Sequence, residues 1–228
     1  MSDVEVEHVS DELPDRTPRE REILDAAATV FHQKGYGAAT IQDIADAVGI
    51  LKGSLYYYIN SKEDLLFEVL RDAHHVSRVH LEEAKAVEGD ALIKLRAFME
   101  LHIKSNITNR VMIGVYFHDF RSLTPERRAM FMGGPDDHET YVLELIELGK
   151  EQGLIRPDVD VRMTGLALMG MMNWVYQWYS PDEVGGVTPK QLATAFADLA
   201  LRGLDDRSEH EWPSASMTNA LGELVQQR

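Results

Sequence analysis

Apolar residues recur at steps of three and four along most of this chain. Ile23, Leu24, Ala27, Val30 and Phe31 form one run, Ile41, Ile44, Ala45 and Val48 a second, and Leu65, Leu66, Val69, Leu70, Ala73 and Val76 a third. That is the period of an amphipathic helix whose one stripe faces a core. Polar punctuation sets the ends. Thr17, Pro18 and Glu20 spell a capping box with proline in the first turn, and the glycines of KGYG close the helix. Thr40 and Asp43 repeat the box, and Gly49 stops that helix after barely two turns. A further short helix is predicted over 52–58, and Ser61 with Asp64 opens a long one over 61–87. Later breaks fall at EGD, around NITNR, and at SLTPE, GGPDD and GLIRPDVD. The loop YSPDEVGGVTPKQ then restarts a helix with Thr188, Pro189 and Gln191. No alternation bounded by hairpin turns appears, so the predicted class is all-α.

Composition narrows the picture. A length of 228 residues with 44% hydrophobic content builds a real core without staples. The absence of cysteine removes disulfides and thiolate chemistry. The start lacks a basic and apolar leader, and no stretch holds the ~20 apolar residues of a bilayer span, so a cytoplasmic protein without membrane contact is expected. A net charge of −15 weighs against non-specific adhesion to nucleic acid but leaves room for a local, shaped surface. Residues 1–16, acidic and without periodicity, read as a disordered arm, and 205–228 as a partly disordered tail.

The stretch LKGSLYYYINSKEDL, from Leu51 to Leu65, raises a question of chemistry. Two short helices joined by a tight turn have the spacing of a helix-turn-helix, whose second helix fits the major groove of B-DNA. On such a helix Lys52, Gly53 and Ser54 lie at the N-terminus, where free N–H groups and the dipole attract phosphate. Tyr56 and Tyr57 offer hydroxyls to phosphates and ring faces to thymine methyls, Tyr58 is expected to turn partly toward the core, and Lys62 offers a further phosphate contact.

TIQDIADAVGILKGSLYYYINSKEDLLFEVL, taken with the preceding helix ending in Phe31 and Gly35, resembles the DNA-binding domain of the TetR/AcrR family of bacterial transcriptional regulators. The resemblance covers residues 18 to about 72, with Ile59 standing where that family most often has Phe. It implies a three-helix DNA-binding domain at 17–62 followed by a larger helical ligand-binding and dimerisation domain at 63–204. The implied DNA contacts are Thr40, Gln42, Lys52, Gly53, Ser54, Tyr56, Tyr57 and Lys62. The implied partners are a near-palindromic double-stranded operator, a second copy of the chain and a small hydrophobic effector.

Dimerisation falls to the two late segments VRMTGLALMGMMNWVYQWY and PKQLATAFADLALRGL, where Gly165, Ala167, Gly170, Ala193, Ala195 and Ala197 permit close packing. Met and aromatic residues crowd LRAFMELHI, VMIGVYFHDF and LALMGMMNWVYQWY, giving Phe98, Met99, His102, Tyr116, Phe117, Phe120, Met169, Asn173, Trp174 and Trp178 as candidate liners of an apolar pocket. NWVYQWYSPDE resembles a pattern of family members that answer acyl-CoA, with Arg110, Arg121, Arg127 and Arg128 available for its phosphates. No nucleophile elbow, phosphate loop or zinc motif is present, so no enzyme, cofactor or metal is expected. Adjacent histidines such as His74 and His75 cannot share one metal from one helix face. The rival class, a helical adaptor that does not bind DNA, leaves the Lys-Gly-Ser-Leu-Tyr-Tyr-Tyr helix unexplained.

Overall fold

Caps begin the helices where the sequence places them. The computed structural model describes residues 13–131 and 138–205, ordered as α1 (Pro18–Lys34), α2 (Ile41–Ala47), α3 (Lys52–Leu55), α4 (Lys62–Lys85), α5 (Ala91–Thr108), α6 (Arg110–Asp119), α7 (Pro125–Ala129), α8 (His138–Glu151), α9 (Val161–Asn173), α10 (Val175–Trp178) and α11 (Pro189–Leu204). A short 3-10 turn, Phe120–Ser122, links α6 to α7. Thr17, Thr40, Ser61, Asp90, Thr124, Asp160 and Thr188 each accept a backbone N–H of the following turn, satisfying donors that a helix start leaves bare. The class is all-α, and no strand forms among the described residues. The arm before residue 13, the break at GGPDD and the tail from 206 lie outside the described residues.

Three departures from the pattern reading have physical causes. Helix α3 ends at Leu55, because Tyr57 and Tyr58 donate to Ser54 and Leu55 three residues back, closing a tight turn instead of extending the helix. Residues 13–16 precede α1 as expected, yet Arg16 is docked: its guanidinium bonds Asp72 at 2.5 and 2.6 Å and Glu68 at 2.5 Å on α4. The late segment read as one helix is broken at Trp174, between α9 and α10. The Met172 carbonyl, which an unbroken helix would offer to the Tyr176 N–H, accepts instead from Asn106 Nδ2 of α5 at 3.3 Å.

Two apolar clusters carry the fold. One gathers Ile23, Phe31, Ile44, Leu55 and Leu66 from α1 to α4 and also takes in Val115 and Leu123, so the division expected at residue 62 is not a break in packing. The other unites α4, α5, α8, α9 and α11 around Leu95, Phe98, Met99, Ile103 and Ile146. No described helix is long and apolar enough to cross a membrane.

Candidate nucleic-acid interface and effector core

Leu55 is fully buried and anchors α3, a side chain whose burial is worth about 2 kcal/mol. Everything around that anchor faces outward. Tyr57 is 89% and Leu51 80% exposed, Tyr56 and Tyr58 about half, and Lys52 and Gly53 are open to solvent with Ser54 part-exposed. Tyr58 turns partly inward, where it helps line a cavity of about 430 Å³ with Arg16 and Arg127. The turn preceding α3 is set by Gly49, whose φ of +68° lies in the left-handed region that favours glycine. Gly53 is different: its φ is ordinary, and a Cβ there would meet nothing within 4 Å. Internal packing gives no reason for that glycine. No side chain caps the start of α3 either, in contrast to α1, α2 and α4.

The charge around this surface differs from that of the whole chain. Residues 17–62 hold five lysines and arginines against five aspartates and glutamates, locally neutral within a chain of net charge −15. Several of those acids are already engaged. Glu20 closes the Thr17 box, Glu22 pairs with Arg19, and Asp43 bonds Lys34 at 2.7 Å. The Lys34 ammonium, with the Thr40 N–H and hydroxyl, holds the Asp43 carboxyl down at about 2. Thr40 is therefore a cap whose hydroxyl already donates to Asp43, and Gln42 donates to Asp46 at 2.7 Å, both on the exposed start of α2.

Lys62 is brought to this domain with its amine turned inward. Nζ donates to the carbonyls of Tyr36 and Ala39 at 2.8 and 2.9 Å and lies 4.2 Å from the centre of the Tyr36 ring. It staples the α1–α2 turn that presents Thr40. Lys62→Met is expected to lower stability by about 1–3 kcal/mol, as two charge-assisted hydrogen bonds are lost. A residue contacting phosphate would instead set the salt dependence of DNA binding. The slope of log K against log salt is thus expected to stay unchanged in Lys62→Met, where loss of a phosphate contact would reduce it by about one unit per half-site.

The same domain is gripped from α6 and α7. Asp119 accepts the Tyr36 N–H at 3.3 Å, the Thr124 N–H donates to Glu63 at 3.0 Å, and Arg127 pairs with Asp64. Gly114 lies so close to α1 that a Cβ would stand 2.6 Å from His32 Nδ1. Helix α6 is thus packed directly against α1 and bonded to the turn that precedes α2. Arg127 is committed to this seam and Arg128 to the turn before α7, where it donates to the carbonyls of Arg121 and Leu123, while Arg110 and Arg121 remain exposed.

The ten candidate pocket residues do not gather at one place. Phe98, Met99, His102 and Asn173 converge in the larger core, with Met169 packed against it. Tyr116 and Phe120 join the other cluster with Phe67 and Phe131, and Phe117 stacks on Tyr176 at 5.3 Å. Trp174 is 59% exposed, and Trp178 lies against Phe196 near the surface. The core region also holds polar and aromatic residues outside that candidate set: Ser77, His80, Ser105, Asn106, His138 and Tyr141. His138 Nε2 meets Ser77 Oγ at 3.1 Å, Ser105 Oγ meets His80 Nδ1 at 3.3 Å, and Tyr141 lies edge-on to Phe98. A signal for them exists in the sequence, since His102, Ser105, Asn106 and Asn109 form a polar stripe along the otherwise apolar inner side of α5.

Burial, with the neighbouring His138 and His80, pushes the His102 imidazole down to about 4, while its bond to Asn173 acts the other way. The unfolded chain takes up this proton below about 6.5, whereas the folded one does so only near 4, so stability is full above 6.5 and falls as pH drops toward 4. His32, lowered by burial and by Arg110 and His118, acts in the same direction. Thermal denaturation between pH 7 and 5 is expected to show a loss on the order of 1–3 kcal/mol, partly removed in His102→Gln.

A surface of another kind runs along α9 and α11. Met163, Leu166, Gly170 and Trp174 share one exposed face of α9 and its end, and Leu199, 68% exposed, follows Ala195 on α11. The small residues of these helices divide. Gly165 serves the fold, since a Cβ would stand 2.5 Å from Leu143, and Ala193 and Ala197 are buried; Ala167, Gly170 and Ala195 stay outside.

Comparison with known proteins gives two family matches along the chain. Residues 23–69 match the family model described as bacterial regulatory proteins, tetR family, and residues 88–204 match tetracyclin repressor-like, C-terminal domain. The HTH-type transcriptional repressor KstR2 of Rhodococcus jostii (strain RHA1) is 29% identical over 196 residues, covering 86% of this chain and 95% of that protein. Among solved structures, the TetR family regulator PfmR of Thermus thermophilus is 36% identical with a TM-score of 0.71, over 84% of this chain and 99% of that one. AibR, solved in complex with isovaleryl coenzyme A and operator DNA, is 29% identical with a TM-score of 0.70, over 79% of this chain and 97% of that one.

Proposed function

This chain belongs to the tetR family of bacterial regulatory proteins, and from that premise we propose that it is a homodimeric repressor that binds a near-palindromic operator and lets go when a small apolar effector fills its larger domain. The observation that carries the DNA reading is the uncapped stretch from Leu51 to Tyr57, exposed on either side of the buried anchor Leu55, with a glycine that nothing inside the protein requires. Lys52, Gly53, Ser54, Tyr56 and Tyr57 meet the major groove, and Thr40 and Gln42 meet the backbone beside it. Lys62 positions them. Phosphate contacts fix register, while the tyrosines and the open backbone at Gly53 supply the close approach that base edges demand.

Release follows from geometry shared by two half-sites. Recognition segments must sit about 34 Å apart to enter successive major grooves, and a ligand that binds the other spacing more tightly shifts the population away from DNA. The seam of Asp119, Thr124 and Arg127 with α4 and the Tyr36 turn connects the larger domain to that spacing. An acyl-CoA is the effector we favour, supported by the isovaleryl coenzyme A of the related AibR and by the NWVYQWYSPDE segment.

The test is fluorescence anisotropy of the purified protein on fragments of its own genome, over a salt series, with and without isovaleryl coenzyme A. Selective binding released by the thioester supports the whole reading. Selective binding without release removes the acyl-CoA assignment, and binding no better than to random DNA returns the helical adaptor.

A further inference from the structure

The chain before α1 is fixed at one point and strongly charged beyond it. Arg16 sets the fixed point: its guanidinium bonds Asp72 at 2.5 and 2.6 Å and Glu68 at 2.5 Å on α4, with only 10% of its side chain accessible. The Thr17 capping box starts α1 at the next residue. Pro14, Asp15 and Arg16 line the cavity of about 430 Å³ together with Tyr58, Ile59 and Asn60, so the arm leaves the fold beside the turn that closes α3. Residues 1–12 lie outside the described residues, and their composition is one-sided: Asp3, Glu5, Glu7, Asp11 and Glu12 against no lysine or arginine. The domain they precede has no net charge over 17–62, and its recognition segment offers a single lysine, Lys52, which is exposed.

Duplex DNA carries one phosphate charge per ~1.7 Å of axis, and a like charge within the Debye length of ~8 Å is repelled with little screening. Residues 1–12 span at most about 40 Å when extended, so from a root beside α3 they reach the phosphates that flank any groove α3 enters. We propose that residues 1–12 are an electrostatic brake on DNA binding: Arg16 holds their root beside the recognition segment, and their carboxylates oppose the phosphates of any duplex that approaches it. This rests on the DNA-binding reading above and goes beyond it. The arm acts on backbone charge and not on base edges, so it lowers operator and random binding by one factor and keeps their ratio. Its effect is on occupancy. Bulk DNA supplies ~10⁶–10⁹ competing sites, and a brake common to all of them shortens each non-specific stay.

The test keeps the full chain and removes only charge, with Asp3→Asn, Glu5→Gln, Glu7→Gln, Asp11→Asn and Glu12→Gln together. Fluorescence anisotropy on a random-sequence duplex is expected to show binding about three- to tenfold tighter than the parent at about 50 mM salt, and equal binding at about 0.5 M, where the Debye length falls to about 4 Å. Deletion of residues 2–12 is expected to match it, and the ratio of operator to random affinity to stay parental. Arg16→Gln, made in the parent and in the deleted chain, is expected to narrow the gap between them, because an arm with a free root spreads its carboxylates away from the groove; a role confined to folding would shift both chains alike. A gap that Arg16→Gln leaves intact overturns the pinned root. Parental affinity in the full-length neutral chain overturns the brake itself, even where the deletion binds tighter, since the arm then acts by bulk. A gain that persists at high salt overturns it too, and weaker binding after deletion makes the arm a DNA contact instead. Selective DNA binding identical in all chains sinks this inference alone, whereas no duplex binding by any chain sinks the regulator reading beneath it as well.

Discussion

Leu166→Glu combined with Leu199→Glu is expected to convert the protein to a monomer in sedimentation velocity at micromolar concentration, with its helical circular dichroism unchanged. Both leucines are exposed in the single chain, so the substitutions cost the protomer little. Across a two-fold interface each appears twice. Four carboxylates would then lose water in an apolar contact without partners, a penalty of several kcal/mol per buried ion. Operator affinity should fall with the dimer. A monomer holds one half-site and forfeits the effective concentration that makes the second contact intramolecular, a factor of about 10²–10⁴. A double variant that still sediments as a dimer places the interface elsewhere.

Gly53→Leu carries the second large effect and works in the opposite sense on stability. With ordinary φ and no atom within 4 Å of where a Cβ would stand, the folded protein accommodates a side chain there, and replacing glycine restricts the unfolded chain, a gain of roughly 0.4–1 kcal/mol. The melting temperature is therefore expected to hold or rise. Operator binding is expected to weaken by about 1–3 kcal/mol per half-site, the scale of a mismatched base pair, because the isobutyl group keeps the backbone away from the groove. Unaltered operator affinity in Gly53→Leu would remove this segment from the interface. The dissociation of the two readouts matters most, since a residue needed for folding would lose both together.

The capping boxes at Thr17, Thr40 and Thr188 and the glycine at position 49 are local devices: a cap involves residues three apart, and a left-handed φ needs no distant partner. Helix starts, the all-α class and the helix-turn-helix were legible for that reason. The contiguous pattern around Gly53 also marked the segment proposed above as the DNA contact. Lys62 was legible as a lysine near DNA, but its direction depends on two carbonyls more than twenty residues earlier in the chain. The Met-aromatic stretches marked an apolar interior without saying which members would meet, because packing assigned Phe98 to one cluster and Tyr116 to another.

The sequence by itself determined the helix starts, their order and the helix-turn-helix, because caps, turns and 3.6-residue periodicity act within a few residues of where they are written. Only tertiary structure decided the break at Trp174, the inward turn of Lys62, the docking of Arg16 and the pairing of His102 with Asn173. Each of these depends on a hydrogen bond between residues more than twenty positions apart, and such a bond is settled only when packed helices bring donor and acceptor within 3.5 Å.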